Sequence, residues 1–89
     1  MPQITVVVEH EVGLHARPAT LFVKKASGFE SEILVTHGDR TANAKSILNV
    51  LTLGAHQGAE ITIDANGPDA DEALSALEQL VESNFVVEV

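Results

Sequence analysis

The chain has 89 residues, of which 45% are hydrophobic, and this size predicts one domain, 1–89, with a single core. Five basic residues against 13 acidic residues give a formal net charge of -8, which argues against binding to nucleic acid or to anionic membranes. The lack of cysteine excludes disulfide bonds and thiolate metal sites and fits a reducing cytoplasm, the compartment that we expect. No apolar stretch approaches the ~18 residues of a membrane span, so we expect no insertion into a membrane.

The first half of the chain predicts a strand, a helix and a hairpin. Residues 3–8 are rich in β-branched side chains, which is typical of a strand. Residues 16–27 place apolar side chains at helical spacing and are followed by a glycine stop. Two short strands, 32–36 and 40–43, flank a turn that contains Gly38, and together they predict a hairpin.

The second half predicts a short helix, a strand and a long helix. Ser46 precedes the apolar run 47–53, so we expect it to cap a short helix. Residues 60–65 alternate apolar and polar side chains, which predicts a half-buried strand. Asp69 and Glu72 have the spacing of a capping box at the start of the last helix. The apolar face of that helix is expected to consist of Ala70, Ala73, Leu74, Leu77, Leu80 and Val81.

The element order β-α-β-β-α-β-α predicts an α+β fold. Four strands and three helices in so short a chain imply a mainly antiparallel sheet with the helices on one face. The opposite face of the sheet is then expected to be open to solvent.

The most informative segment reads GLHARPA, residues 13–19, at the junction between a loop and the first helix. Pro18 is tolerated in a first helical turn, so His15 falls near the N-cap position. The backbone N–H groups of Ala16 and Arg17 would then lack intrahelical partners and would face a dianion held on His15. The guanidinium of Arg17 would add a planar fork that matches phosphate oxygens.

This arrangement predicts a reversible phosphoryl acceptor. A neutral imidazole nitrogen is able to attack phosphorus, and the product remains reactive enough to pass the group on. The alternative reading is that His15 only caps the helix. The sequence has no helical histidine pair with metal-ligand spacing, no nucleophile elbow and no glycine-rich phosphate loop. We therefore expect no metal and no cofactor, and we expect another protein to supply the phosphate.

GLHARPA, together with FVKKASGF, AKSILNVLTLG and a Gln57-Gly58 pair before a strand, resembles the HPr family of the bacterial phosphoenolpyruvate-dependent sugar phosphotransferase system. The resemblance covers essentially the whole chain and implies an open-faced β-sandwich with sheet order 1-4-2-3. It implies a carrier protein rather than an enzyme: phosphorylated enzyme I would modify Nδ1 of His15, and Arg17 would support the phosphate. An enzyme IIA component of a sugar permease would then receive the group. The family commonly has Asn or Ser where this chain has Val12, so a polar phosphate contact is lacking there.

The same resemblance points to a regulatory site at Ser46, which is similar to the serine modified by an ATP-dependent HPr kinase/phosphorylase. A phosphate on this helix cap would be favoured by the helix dipole and would repel acidic partners. A catabolite-control transcription factor is then a further expected partner. The alternative that Ser46 only caps its helix stays open.

A docking surface beside the acceptor histidine is expected as well. A short helix cannot bury apolar side chains all round, so some of them should be exposed, whereas Val50 and Leu53 are expected in the core. The expected interface consists of Leu21, Lys24, Lys45, Ile47, Leu48 and Leu51. Its basic members are predicted to cluster with Arg17 around His15.

Two other functions stay open at this point. One is a paralogue that serves a nitrogen-linked or dihydroxyacetone-kinase phosphorelay, with the same chemistry and other partners. The other is a regulatory binding module that acts through phosphorylated Ser46. Retention of the Ser46-Ile47-Leu48 sequence favours the sugar carrier, and we expect that carrier to be a monomer.

Overall fold

A computed structural model describes residues 2–86 of the chain. The elements in chain order are β1 (Gln3–Val7), α1 (Ala16–Ser27), β2 (Glu32–His37), β3 (Arg40–Asn43), α2 (Ile47–Leu51), β4 (Glu60–Asn66) and α3 (Ala70–Glu82). Their order and type are those predicted, and the bounds of α1 and β3 agree with the prediction. Within the described residues, no helix combines the length and the apolar character that crossing a membrane requires.

The four strands form one antiparallel sheet in the order β1-β4-β2-β3, which confirms the predicted fold class. In β4, Ile61, Ile63 and Ala65 are buried, and the residues between them are only half-buried. Val6 pairs with Ile61 and Val35 pairs with Ile63, so each strand adds apolar side chains to the same face. Because successive strand residues point to opposite faces, the other face of the sheet carries the polar side chains.

The helices lie over the apolar face of the sheet. α3 packs on β1 and β4, and α1 packs against α2 and α3. The apolar face predicted for α3 is buried in full: Ala70, Ala73, Leu74, Leu77, Leu80 and Val81. From α1, Phe22 is completely buried, and truncation of such a core aromatic costs about 3 to 5 kcal/mol of stability. This packing anchors α1 and thereby fixes the position of its first turn.

α2 is shorter than predicted. It ends at Leu51, and Thr52 forms the C-cap, with its hydroxyl donating to the Asn49 carbonyl oxygen at 2.6 Å. The short local bond of Thr52 competes with continuation of the helix. Leu53 nevertheless turns into the core, and Val50 is buried too, as the sequence predicts.

The capping box predicted at the start of α3 is wrong. Asp69 is the N-cap residue, but its side chain makes no hydrogen bond to α3. Its carboxylate instead accepts hydrogen bonds from the backbone N–H of Glu30 and from the N–H and hydroxyl of Ser31. Because these donors occupy the carboxylate, it ties the start of α3 to the loop before β2.

Candidate functional site

His15 is the N-cap residue of α1, as predicted, but its ring does not cap the helix. Its backbone is extended, with φ -135° and ψ 170°, and its side chain makes no capping hydrogen bond. His15 is half-buried at the N-terminal end of α1. The reading of His15 as a simple helix cap therefore finds no support in its side-chain contacts, and the first-turn N–H groups remain available to another acceptor.

The two ring nitrogens of His15 differ in their surroundings. Nε2 is buried and has no hydrogen-bond partner within residues 2–86. Nδ1 is not one of the buried atoms that lack a partner there. A buried imidazole nitrogen normally has a partner, so this orphaned atom calls for an explanation. The burial of Nε2 makes Nδ1 the candidate nitrogen for reaction with an incoming group.

The next residue, Ala16, has a left-handed backbone with φ 48°. A residue with a Cβ atom seldom adopts this conformation, and it costs on the order of 1–2 kcal/mol. The turn at Ala16 brings the chain from the extended His15 into α1, whose packing holds it in place. This strain was not predictable from the sequence, because an alanine does not indicate a positive φ.

A second histidine, His56, lies at the site, although the sequence did not predict it there. The ring centroids of His15 and His56 are 5.4 Å apart, with their planes tilted by 40°. The N–H of Leu14 donates to the Ala55 carbonyl oxygen at 2.7 Å, which joins the two loops that carry these histidines. Gly13 lies so close that a Cβ atom there would be 2.8 Å from the His56 Cα. Only this long-range packing brings His56 to the site, so no local sequence signal could have found it.

Arg17 is exposed in the first turn of α1. It borders a small cavity of about 170 Å³. The other residues that line this cavity are His10, Val12, Ala16, Pro18, Leu21 and Phe85. The loop before α1 is held in part by His10, whose Nδ1 accepts a hydrogen bond from the Val12 N–H at 3.1 Å. The Val12 side chain is exposed and apolar, so it offers no hydrogen bond to an anion.

The apolar residues of α2 form an exposed patch, as predicted. Leu48 is 74% exposed, and Ile47 and Leu51 are 37% and 38% exposed. On α1, Lys24 is exposed, whereas Leu21 is half-buried and packs against the core. Leu21 therefore contributes less surface than the sequence led us to expect.

The predicted cluster of cations around His15 is wrong with respect to Lys45. The Lys45 ammonium donates to the Phe29 carbonyl oxygen at 2.6 Å, just beyond the C-terminal end of α1. His15 lies at the opposite end of this helix, whose 12 residues span about 18 Å. Lys45 is held away from His15 because its ammonium satisfies a carbonyl in the loop after α1.

Ser46 caps α2, as predicted. Its hydroxyl oxygen accepts a hydrogen bond from the Asn49 N–H at 3.3 Å, and its backbone is extended. The residue is half-buried and precedes the exposed patch of α2 directly. A group added to this hydroxyl would therefore stand next to Ile47 and Leu48.

Comparisons with known proteins agree on one family. Residues 2–83 match the family model PTS-HPr, described as "PTS HPr component phosphorylation site". A relative described as "Phosphocarrier protein HPr", from Mycoplasma pneumoniae, is 43% identical over 88 residues, which cover 98% of this chain and 100% of the relative.

Solved structures give the same result. HPr-C-His from Thermoanaerobacter tengcongensis has a TM-score of 0.95 and 44% identity, with 100% of both chains covered. An HPr dimer from the same organism has a TM-score of 0.78 and 44% identity, covering 98% of this chain and 100% of that one.

Proposed function

This chain belongs to the HPr family of phosphocarrier proteins of the phosphotransferase system, and on that premise we propose that it carries the phosphoryl group on Nδ1 of His15. The observation that supports the proposal most directly is the state of the His15 ring. It stands at a helix N-terminus without a capping bond, and Nε2, but not Nδ1, is a buried atom without a partner within residues 2–86. A ring in this state has one nitrogen available as a nucleophile.

The proposed transfer is a direct displacement at phosphorus. The lone pair on Nδ1 of His15 forms the new N–P bond while the bond between phosphorus and the donor group of enzyme I breaks. The ring proton resides on Nε2 during this step. Return of the group to an enzyme IIA component reverses the roles, so the chain is a stoichiometric carrier with no substrate pocket of its own.

The first turn of α1 would stabilise the charge of the moving group. The N–H groups of Ala16 and Arg17 lie at the positive end of the helix dipole, where an anion is favoured. Arg17 is exposed in the same turn, and its guanidinium would bind phosphate oxygens from the solvent side. Such preorganised donors lower the barrier because they need no rearrangement as charge develops.

The proposed docking surface joins α1 to the exposed patch of α2. Leu48 supplies most of the exposed apolar area there, and apolar side chains of this kind form the centre of protein interfaces. Lys24 would contribute positive charge along α1, whereas Lys45 would contribute only near its far end. Enzyme I and the enzyme IIA components are the partners proposed for this surface, with the chain acting as a monomer.

Regulation through Ser46 is a second proposal, favoured by the position of its hydroxyl next to that surface. A phosphate on Ser46 would place two negative charges beside Ile47 and Leu48 and would weaken docking to acidic partners. An HPr kinase/phosphorylase would add it, and a catabolite-control transcription factor would bind the modified form. Incubation with that kinase and ATP, followed by mass spectrometry, tests this proposal, and absence of phosphate on Ser46 contradicts it.

The decisive experiment for the carrier function is incubation with enzyme I, Mg²⁺ and phosphoenolpyruvate. The native chain is expected to gain one acid-labile phosphate, and His15→Ala is expected to gain none. His37→Ala serves as the matched control, because His37 lies in β2, where its Nδ1 is hydrogen-bonded to the Leu53 carbonyl oxygen, and is not part of the loop that carries His15. Equal labelling of the native chain and His15→Ala would overturn the proposal.

A further inference from the structure

The neighbour of His15 in the opposite loop is His56. His56 is exposed while His15 is half-buried, so His56 is the more solvent-exposed of the two. Their ring centroids are 5.4 Å apart, close enough for ring-to-ring contact. The loop that carries His56 is fixed against the loop before α1 by the bond from the Leu14 N–H to the Ala55 carbonyl oxygen.

We propose that His56 determines which nitrogen of His15 is phosphorylated: its ring closes Nε2 to phosphoryl donors and leaves Nδ1 as the only acceptor. The inference deepens the proposed function and rests on His15 as the acceptor. A solvated histidine offers both ring nitrogens to an electrophile, so restriction to one of them needs a cause, either a hydrogen bond that occupies the other nitrogen or a group that covers it. Burial of Nε2 without a hydrogen bond is that cause, since no polar contact within residues 2–86 occupies the atom.

The chemical step is the same at either nitrogen, so His56 acts on access alone. With potassium phosphoramidate as donor, the lone pair of an unprotonated ring nitrogen forms the N–P bond. The amine of phosphoramidate, already protonated, departs as ammonia with the electron pair of its P–N bond. The ring proton stays on the nitrogen that did not react. The two products therefore differ only in which nitrogen of His15 the donor reached.

Treatment of the folded chain with potassium phosphoramidate tests the inference without any partner protein. The ratio of Nε2 to Nδ1 adducts on His15 is read by ³¹P and ¹H–¹⁵N NMR. We expect the native chain to give the Nδ1 adduct, and we expect His56→Ala to raise the ratio about tenfold or more, the change expected when a barrier of about 1.4 kcal/mol is removed. An unchanged ratio in His56→Ala would overturn the role of His56.

A second variant distinguishes steric covering of the His15 Nε2 from a hydrogen bond made by the His56 ring. His56→Phe keeps an aromatic ring at the position but has no ring nitrogen, so it is expected to keep the native ratio. A ratio in His56→Phe as high as in His56→Ala would contradict a purely steric role. His37→Ala, with its substitution in β2, is the matched control with an unchanged ratio expected, and His15→Ala identifies signals from the other histidines. Because enzyme I takes no part, a failure here leaves the test of the carrier function unaffected.

Discussion

The Asp69 carboxylate accepts two hydrogen bonds from Ser31, one from its N–H at 2.9 Å and one from its hydroxyl. A further bond from the Glu30 N–H, also 2.9 Å, completes the junction. These hydrogen bonds join Asp69 to two residues that lie 38 and 39 positions earlier in the sequence. Because Asp69 precedes α3 and Ser31 precedes β2, the junction fixes the long helix against the entry to the sheet.

Asp69→Asn is expected to lower stability at neutral pH and to change how stability depends on pH. The hydrogen bond from the Ser31 hydroxyl is the main cause that holds the pKa of Asp69 below its ordinary value of 3.8, and the hydrogen bond from the Glu30 N–H adds to it. A carboxyl with a depressed pKa in the folded state stabilises the fold above the unfolded-state pKa and loses that contribution as pH falls through the folded-state value. The native chain should therefore lose stability below about pH 4, and Asp69→Asn should show less of this loss.

Urea unfolding at pH 7 and at pH 3 measures this effect. Asp71→Asn is the matched control, since Asp71 lies exposed in the first turn of α3. Both variants lose a negative charge near the same helix N-terminus, so the difference between them isolates the junction with Ser31. If the two variants have the same midpoints at both pH values, the junction contributes nothing to stability.

Gly13→Ala is expected to destabilise the fold by about 1–3 kcal/mol, because the position combines a left-handed backbone with a close contact. Gly13 has φ 77°, and an added Cβ would lie 2.7 Å from the Ala55 carbonyl oxygen. Gly38→Ala is the matched control, since Gly38 has φ 64° but no atom of residues 2–86 within 4 Å of such a Cβ. Chemical unfolding of both variants separates the two effects, and equal losses would show that the contact with Ala55 is unimportant.

The fold was predictable where a pattern is local and periodic. Alternation marked β4, and helical spacing marked α1 and α3, because burial of one face imposes those periods on the sequence. Three features escaped prediction: the strained backbone of Ala16, the bond from Asp69 to Ser31, and the neighbour His56. Each depends on which distant segments the tertiary packing brings together. Asp69, for example, accepts hydrogen bonds from Glu30 and Ser31 in place of the capping bond that its position in the sequence predicts.

Leu48→Glu is expected to slow phosphoryl exchange with enzyme I about tenfold while leaving the fold intact. Docking would bury the new carboxylate without a partner, which is unfavourable, whereas the free chain leaves it in water. Leu48 is 74% exposed, so the unfolding free energy should change by no more than about 0.5 kcal/mol. Rapid-quench measurement of transfer, with thermal unfolding alongside, gives both quantities.

Val7→Glu is the control for this variant. Val7 is also exposed, at 46%, but it lies on β1, away from the helices that carry the proposed surface. The substitution makes the same change in charge and size class at a site where no partner is expected, so its transfer rate should match that of the native chain. Normal transfer by Leu48→Glu would remove Leu48 from the interface.

Substitutions at Ser46 are expected to separate its structural role from a regulatory one. Ser46→Ala removes the acceptor for the Asn49 N–H and should cost about 1 kcal/mol of stability, with little change in transfer rate. Ser46→Asp keeps a capping oxygen and adds a negative charge beside Leu48, so it should retain stability and slow transfer. Because the added charge lies near the protein surface, dissolved salt screens it, so the decrease in transfer rate should become smaller as the salt concentration rises. Equal transfer rates for the two variants would leave Ser46 with its capping role alone.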